Sequence, residues 1–295
     1  MKTEAVAVPA ARTRVSDFVA LTKPRLNLLV IATAAAGYYL GTASDLDLVA
    51  FLNTVGGTAL VAGGASALNQ IYERHADGLM QRTRLRPLPD SRLQVGEAGV
   101  FALALSVAGL VLLAAGANGL AAMVALVTLV TYVACYTPLK ARTSLATVVG
   151  AVPGALPPMI GWAGATGTLS REAWILFAIV FLWQMPHFLA IAWLYREDYA
   201  RAGFPLLPVI EPDGRSTGRQ AAAYAAALLP VSLAPTVTGL TTPVYFAGAL
   251  LLGLAFLGLA IRFAWHRERA AARWLFFGSI LYLPLLWILM IATRA

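Results

Sequence analysis

This sequence predicts an all-α, polytopic membrane protein, on three observations. Apolar residues make up 59% of its 295 positions, whereas Asp, Glu, Lys and Arg together supply only 12%, about half the roughly 25% found in soluble domains. Charge-free stretches recur at the length of about 20 residues that a helix needs to cross a bilayer. The basic residues gather in alternate loops, as positive charge does on the inner side of a membrane. A single Cys135 excludes an internal disulfide, and three histidines without further cysteine give no zinc cluster.

Residues 26–44, 48–72, 143–170, 173–195 and 274–293 each carry no Asp, Glu, Lys or Arg and fit one span. Residues 98–139 and 220–261 are each long enough for two spans, broken at Gly116-Ala117-Asn118-Gly119 and at the turn from Thr238 to Pro243. The expected count is nine transmembrane helices around a central cavity open to the cytoplasmic side, forming one domain over 26–293 behind a cytoplasmic tail, 1–25. With the N-terminus inside, 20 of the 22 Lys and Arg residues fall on the inner side, leaving only Arg171 and Arg294 outside. Topology and anionic lipid headgroups therefore explain the net charge of +8 without a nucleic acid. Ala34 to Ala36 offers small residues for signal cleavage, but the apolar run continues through Tyr38, Tyr39 and Leu40, so the first span is read as retained. Chemistry is expected at the two long inner loops, 73–97 and 196–219.

The end of the second span reads Asn69-Gln-Ile-Tyr-Glu73-Arg-His-Ala-Asp77, followed by Arg82-Thr-Arg84-Leu-Arg86-Pro87-Leu-Pro89. Steps of four put Asn69, Glu73 and Asp77 on one helical face, since each overshoots a turn by about 40°. Acids at a membrane interface need compensation. Mg²⁺ suits this set because it takes one or two carboxylates together with phosphate oxygens. Arg82, Arg84 and Arg86 suit the phosphates themselves. The competing reading is a solvated loop in which Glu73 pairs with an arginine.

A fainter version recurs four helices later in Tyr195-Arg196-Glu197-Asp198-Tyr199, leading through Arg201 and Gly203 to Pro205 and Pro208. Asp198 is the preferred second-side metal ligand there, against a surface salt bridge. Lys140 and Arg142, after Pro138, serve either phosphate or topology. His187, in Trp183-Gln184-Met185-Pro186-His187-Phe188, lies about 12 Å inside the helix end. An ionisable group at that depth is a functional candidate, or else a histidine satisfied by a neighbouring helix.

The residues Asn69-x3-Glu73-x3-Asp77-x2-Met80-x-Arg82-Thr83-x2-Arg86-Pro87, Tyr136-Thr-Pro-Leu-Lys140, Trp183-Gln-x-Pro186-His187-Phe188 and Asp198-Tyr199 resemble the UbiA superfamily of intramembrane prenyltransferases, in particular its haem-farnesylating branch. The resemblance covers essentially the whole chain. It implies Mg²⁺-dependent transfer of a farnesyl group from farnesyl diphosphate to a vinyl group of haem b, giving haem O. Asn69, Glu73, Asp77 and Asp198 would be the catalytic metal ligands. Arg82, Arg86, Lys140 and Arg142 would hold the diphosphate. His187 and Tyr195 would bind the haem, His187 as a contact or as a ligand of its iron, and Tyr195 or Trp193 would shield the allylic cation. Haem A synthase or oxidase-assembly proteins become the implied partners, and a bacterial inner membrane, or alternatively a mitochondrial one, the location. The superfamily commonly has Asp where this chain has Glu73, and a second acid where it has Ala202, which puts a second metal ion in question. Two rivals stand beside this reading: a prenyltransferase acting on an aromatic quinone precursor, and a polytopic transporter.

Overall fold

The computed structural model describes residues 13–43 and 45–295. Residues 1–12 of the expected tail, with Lys2 and Arg12, and Ser44 at the end of the first expected span lie outside the described residues. All regular elements among the described residues are helical. They are α1 (Arg14–Leu21), α2 (Pro24–Gly41), α3 (Leu48–Leu79), α4 (Val95–Gly116), α5 (Gly119–Val130), a π-helical turn Thr131–Tyr136, α6 (Thr137–Leu139), α7 (Ala146–Ala155), α8 (Pro157–Thr166), α9 (Arg171–Leu194), α10 (Arg196–Arg201), α11 (Leu207–Ile210), α12 (Arg215–Val237), α13 (Pro243–His266) and α14 (Arg269–Ala292).

Eight of these spans are long and apolar enough to cross a bilayer: α3, α4, α5 continued to Leu139, α7 with α8, α9, α12, α13 and α14. α1 with α2, bent by 48° at their junction, makes a ninth when the pair is counted as one span. Exposed residues such as Leu103, Val107, Leu251, Leu281 and Ile288 cover the outside, where lipid replaces water as the neighbour. The breaks fall where the sequence places them, after Gly116 and between Val237 and Pro243.

Helix ends, by contrast, overrun the charge-free segments. α3 continues two turns past Tyr72, α12 starts at Arg215 and α14 at Arg269. A charge marks where the hydrocarbon stops; the backbone hydrogen-bond ladder is under no obligation to stop there. The loop expected over 196–219 is accordingly ordered into α10, α11 and the start of α12.

The end of the expected tail is also part of the fold. In α1, Leu21 is fully buried with Ala67, Leu88, Leu93, Ala98 and Ala102, and Phe18 packs against that group. Asp17 accepts from Arg92 Nε at 3.0 and 3.1 Å, and Gln70 Nε2 donates to the Leu21 carbonyl at 2.7 Å. α1 is thereby clasped to α3 and to the segment 80–94.

Helix crossings rely on small residues, because lipid gives no hydrophobic drive between helices and close approach maximises dispersion. α2 meets α8 backbone to backbone. A Cβ on Gly37 would stand 2.1 Å from the Pro158 carbonyl oxygen, and one on Gly161 would stand 1.8 Å from that of Ala34. A Cβ on Gly64 of α3 would likewise stand 2.2 Å from Ser106 Oγ of α4. Gly161→Ala must push α2 and α8 apart, and overpacking of this kind costs about 1–3 kcal/mol. The variant is expected to unfold at lower temperature in detergent than Gly258→Ala, where a Cβ meets nothing within 4 Å; equal melting temperatures would contradict this account of the crossing.

Candidate active site

The two extra turns of α3 carry the acidic motif, so Asn69, Glu73 and Asp77 stand on one face of a continuous helix. That face is turned inward, and the three residues are buried, Asp77 completely. Burying two carboxylates is unfavourable without partners. Each of the three side chains meets a cation from a different element. Lys23 Nζ donates to Asn69 Oδ1 at 2.8 Å. Lys140 Nζ donates to both Glu73 oxygens at 3.1 and 3.0 Å. Arg86 Nη1 donates to Asp77 Oδ2 at 2.7 Å.

Local structure explains how each cation arrives. Lys23 precedes Pro24, which disfavours the helical conformation for it, and it adopts φ 49°, a left-handed value rare for a residue with a Cβ. That joint bends the chain between α1 and α2 and sends the side chain towards Asn69. Lys140 follows the π-helical turn. Pro138 supplies no N–H to the helix ladder, and the chain widens just before it. Thr137 Oγ1 donates to the Tyr132 carbonyl at 2.8 Å and accepts from Asn69 Nδ2 at 3.2 Å, tying that turn to the motif. Arg86 is returned to Asp77 by the folded segment after α3, in which buried Thr83 donates to the Asp77 carbonyl at 2.8 Å.

Burial opposes the charge of the Lys140 ammonium, but the Glu73 carboxylate, joined by Tyr199 and Tyr132, more than offsets it and lifts the Lys140 pKa above its ordinary value. Its ammonium also lies 4.6 Å from the centre of the Phe204 ring. Arg82 remains on the outer rim, its guanidinium 5.1 Å from the Tyr195 ring centre and its Nη2 donating to Tyr199 Oη at 3.4 Å.

Not every expected site residue joins this group. Asp198 is buried, but its carboxylate is engaged by Arg201 one turn along α10. Among the described residues no three His, Cys, Asp or Glu side chains come together as a metal-binding group, so Asp198 does not complete one with Glu73 and Asp77. Arg142 is exposed and outside the cavity lining. Tyr195 caps α9 at the rim beneath Arg82, and Trp193 packs against Arg196 and Phe263; neither lines the cavity.

Behind the charged row lies a cavity of about 370 Å³. It runs from Lys23 and Lys140 at its mouth, past Tyr132 and Tyr136, to Trp183, Gln184 and His187. Tyr132 and Tyr136 come side by side through the π turn, ring centres 5.3 Å apart, and Gly150 leaves the room that the Tyr136 ring fills. Lys23, Thr137, Tyr132, Tyr136 and Tyr199 are the participants missed from sequence. The Lys23-Pro24 pair and the Pro138 that widens the helix were the available signals.

A divalent cation fits part of this site. Asn69, Glu73 and Asp77 are hard oxygen donors of the kind Mg²⁺ prefers, and Asp77 Oδ1 is buried with no hydrogen-bond partner. An orphaned carboxylate oxygen is unfavourable unless a cation or donor meets it.

The chain is similar to known proteins of one family. The model of the UbiA prenyltransferase family matches residues 30–283. The chain is 50% identical to a protohaem IX farnesyltransferase of Solibacter usitatus, over 94% of this chain and 98% of that one. It is 41% identical to a protein of the same description from Koribacter versatilis, over 98% and 97%. A solved structure of a digeranylgeranylglyceryl phosphate synthase superposes with a TM-score of 0.79 at 16% identity, covering 95% of this chain and 98% of the other. A UbiA homologue from Archaeoglobus fulgidus, bound to DMAPP and Mg²⁺, superposes with a TM-score of 0.69 at 16% identity, covering 93% and 99%.

The pairing of Asp77 with Arg86 can be tested alone. Arg86→Met leaves a buried carboxylate uncompensated, a loss of about 3–5 kcal/mol for pairs of this kind, whereas Asp77→Asn/Arg86→Met removes the charge as well. The single variant is expected to melt well below the double; the opposite order in detergent melts would contradict the pairing.

Proposed function

The chain belongs to the UbiA prenyltransferase family, and we propose that its reaction is the transfer of a farnesyl group from farnesyl diphosphate to a vinyl group of haem b, giving haem O for respiratory oxidase assembly. The observation that carries this reading is the row of three oxygen-bearing side chains matched by three cations at the mouth of an aromatic-lined cavity. Lys140 and Arg86 balance the two carboxylates, and Arg82 at the rim adds a positive charge that suits an anionic substrate. Identity of 50% to a protohaem IX farnesyltransferase supports the choice of donor and acceptor.

Asn69, Glu73 and Asp77 would hold Mg²⁺, which would neutralise phosphate oxygens as charge develops on the departing diphosphate. Lys23, Lys140 and Arg86, which now neutralise the acidic face, are placed to turn to the diphosphate, with Arg82 reaching it from the rim. Asp198 is given a positioning role through Arg201 rather than a second metal site. Arg142 is assigned to topology. The faces of Tyr132, Tyr136 and Tyr199 replace Tyr195 and Trp193 as the surfaces that shield an allylic cation. The apolar cavity excludes the water that would quench it. His187 at the inner end would face the acceptor, and an imidazole there favours a metalloporphyrin over a quinone precursor. The basic bias of the loops supports an inward-facing site in a bacterial cytoplasmic membrane, N-terminus inside and C-terminus outside; a mitochondrial inner membrane is the alternative.

The test uses purified protein in lipid with labelled farnesyl diphosphate and either haem b or an aromatic quinone precursor. Label is expected in haem alone, to disappear with EDTA and to return with Mg²⁺. Glu73→Ala is expected to slow transfer on the order of 100-fold or more, the scale for removing electrostatic stabilisation of a transition state. Undiminished transfer under chelation sinks the metal reading, and label in the quinone precursor sinks the acceptor. Substrate uptake into vesicles that survives Glu73→Ala would favour a transporter.

A further inference from the structure

His187 is held by more contacts than a space-filling residue needs. Its ring lies between Trp183, 5.3 Å away with the planes at 21°, and Phe276, 5.1 Å away at 27°. Its Nδ1 is 2.7 Å from Ser279 Oγ of α14. Ser279 is fully buried, and its one hydroxyl hydrogen is donated to the Phe276 carbonyl at 2.5 Å. With that hydrogen on the Phe276 carbonyl, the hydroxyl accepts from the imidazole, the arrangement in which Nδ1 carries the ring hydrogen. The carbonyl of the same serine accepts from Trp183 Nε1 at 2.9 Å, so Ser279 fixes both the histidine and the indole stacked on it.

Both ring faces and one nitrogen are thus accounted for. Nε2 is left as a lone-pair donor on the side chain that lines the inner part of the cavity. A basic nitrogen kept unpaired among apolar neighbours is unfavourable unless a ligand meets it. A histidine that binds a metal characteristically donates its other N–H to a fixed acceptor, which sets tautomer and ring orientation. Building on the haem acceptor proposed above, we infer that Ser279 is a positioning residue that locks His187 in the Nδ1–H tautomer, so that Nε2 binds the iron of the acceptor porphyrin axially. The bond would fix the depth of the porphyrin and hence which of its edges reaches the charged mouth.

The experiment adds ferrous haem b to the full chain in lipid nanodiscs and records haem affinity, the Soret band and the iron–histidine stretch by resonance Raman. The wild type is expected to show the iron–histidine band, His187→Gly to lose it, and free imidazole to restore it. Ser279→Ala should keep the band at lower frequency, because Nδ1–H no longer has its acceptor, and should bind haem 10–100-fold more weakly. Ser279→Thr keeps a hydroxyl and should stay near wild type. Farnesyl diphosphate binding should be the same in all four proteins, showing that they fold. A band that persists in His187→Gly, a Ser279→Ala protein indistinguishable from wild type, or wild-type haem bound without an iron–histidine band overturns this inference and leaves haem as the acceptor. A wild type that binds farnesyl diphosphate but no haem overturns the acceptor and this inference together.

Discussion

Two buried carboxylates at the end of a membrane helix impose the main constraint on this molecule. Glu73 and Asp77 are out of water on a face where an unpaired charge is worth several kcal/mol of destabilisation, so chain remote in sequence has to bring cations to them. Two irregular features of the fold supply those cations, the π turn that precedes Lys140 and the folded segment that returns Arg86, and a third, the left-handed joint at Lys23, brings an ammonium to Asn69 beside them. Each departs from the straight helix that is the default inside a bilayer. All three sit at the same end of the bundle, around α3.

These features are also coupled to one another. Arg92, in the segment that carries Arg82 and Arg86, grips Asp17 of α1, one helix end away from Lys23. Asn69 touches Lys23 on one side and Thr137 of the π turn on the other. A displacement of one cation is therefore felt by the elements holding the other two. The cavity behind them is divided in chemistry: the joint before α2, the π turn and the residue after α6 present charge and hydroxyl-bearing rings at the mouth, while α9, backed by α14, presents the fixed imidazole. A charged leaving group and a neutral acceptor surface can thus occupy one cavity without competing for the same contacts.

Most of the bundle was legible in the sequence because bilayer thickness makes span length a physical ruler, and the turns after Gly116 and Val237 fell at their breaker residues. The face holding Asn69, Glu73 and Asp77 was legible for a similar reason, since a spacing of four survives any tertiary context that keeps the helix. The partners of that face were not. Lys23 reaches Asn69 across 46 residues of sequence, and no local pattern encodes the encounter. Lys140 and Arg142 read alike, two residues apart, yet the turn after α6 sends one inward and leaves the other exposed. Tyr195 belongs to the rim because α9 ends there, whereas Tyr132 and Tyr136 owe their place to the π turn, a hydrogen-bond pattern that composition does not announce.

The faint repeat between the two inner loops shows how similar letters can do different work. At the end of α3 the acids find long-range cations, and the whole mouth is organised around them. At the end of α9, Asp198 finds Arg201 three residues on, a pairing available within a single turn. Where a second acid would extend that face, the chain has Ala202. A locally satisfied carboxylate exerts no pull on distant elements, and the second half of the molecule is free to devote its interior to packing around His187. The two inner ends thus differ in partnering, and it is on the α3 side that a buried carboxylate oxygen, Asp77 Oδ1, still lacks a partner.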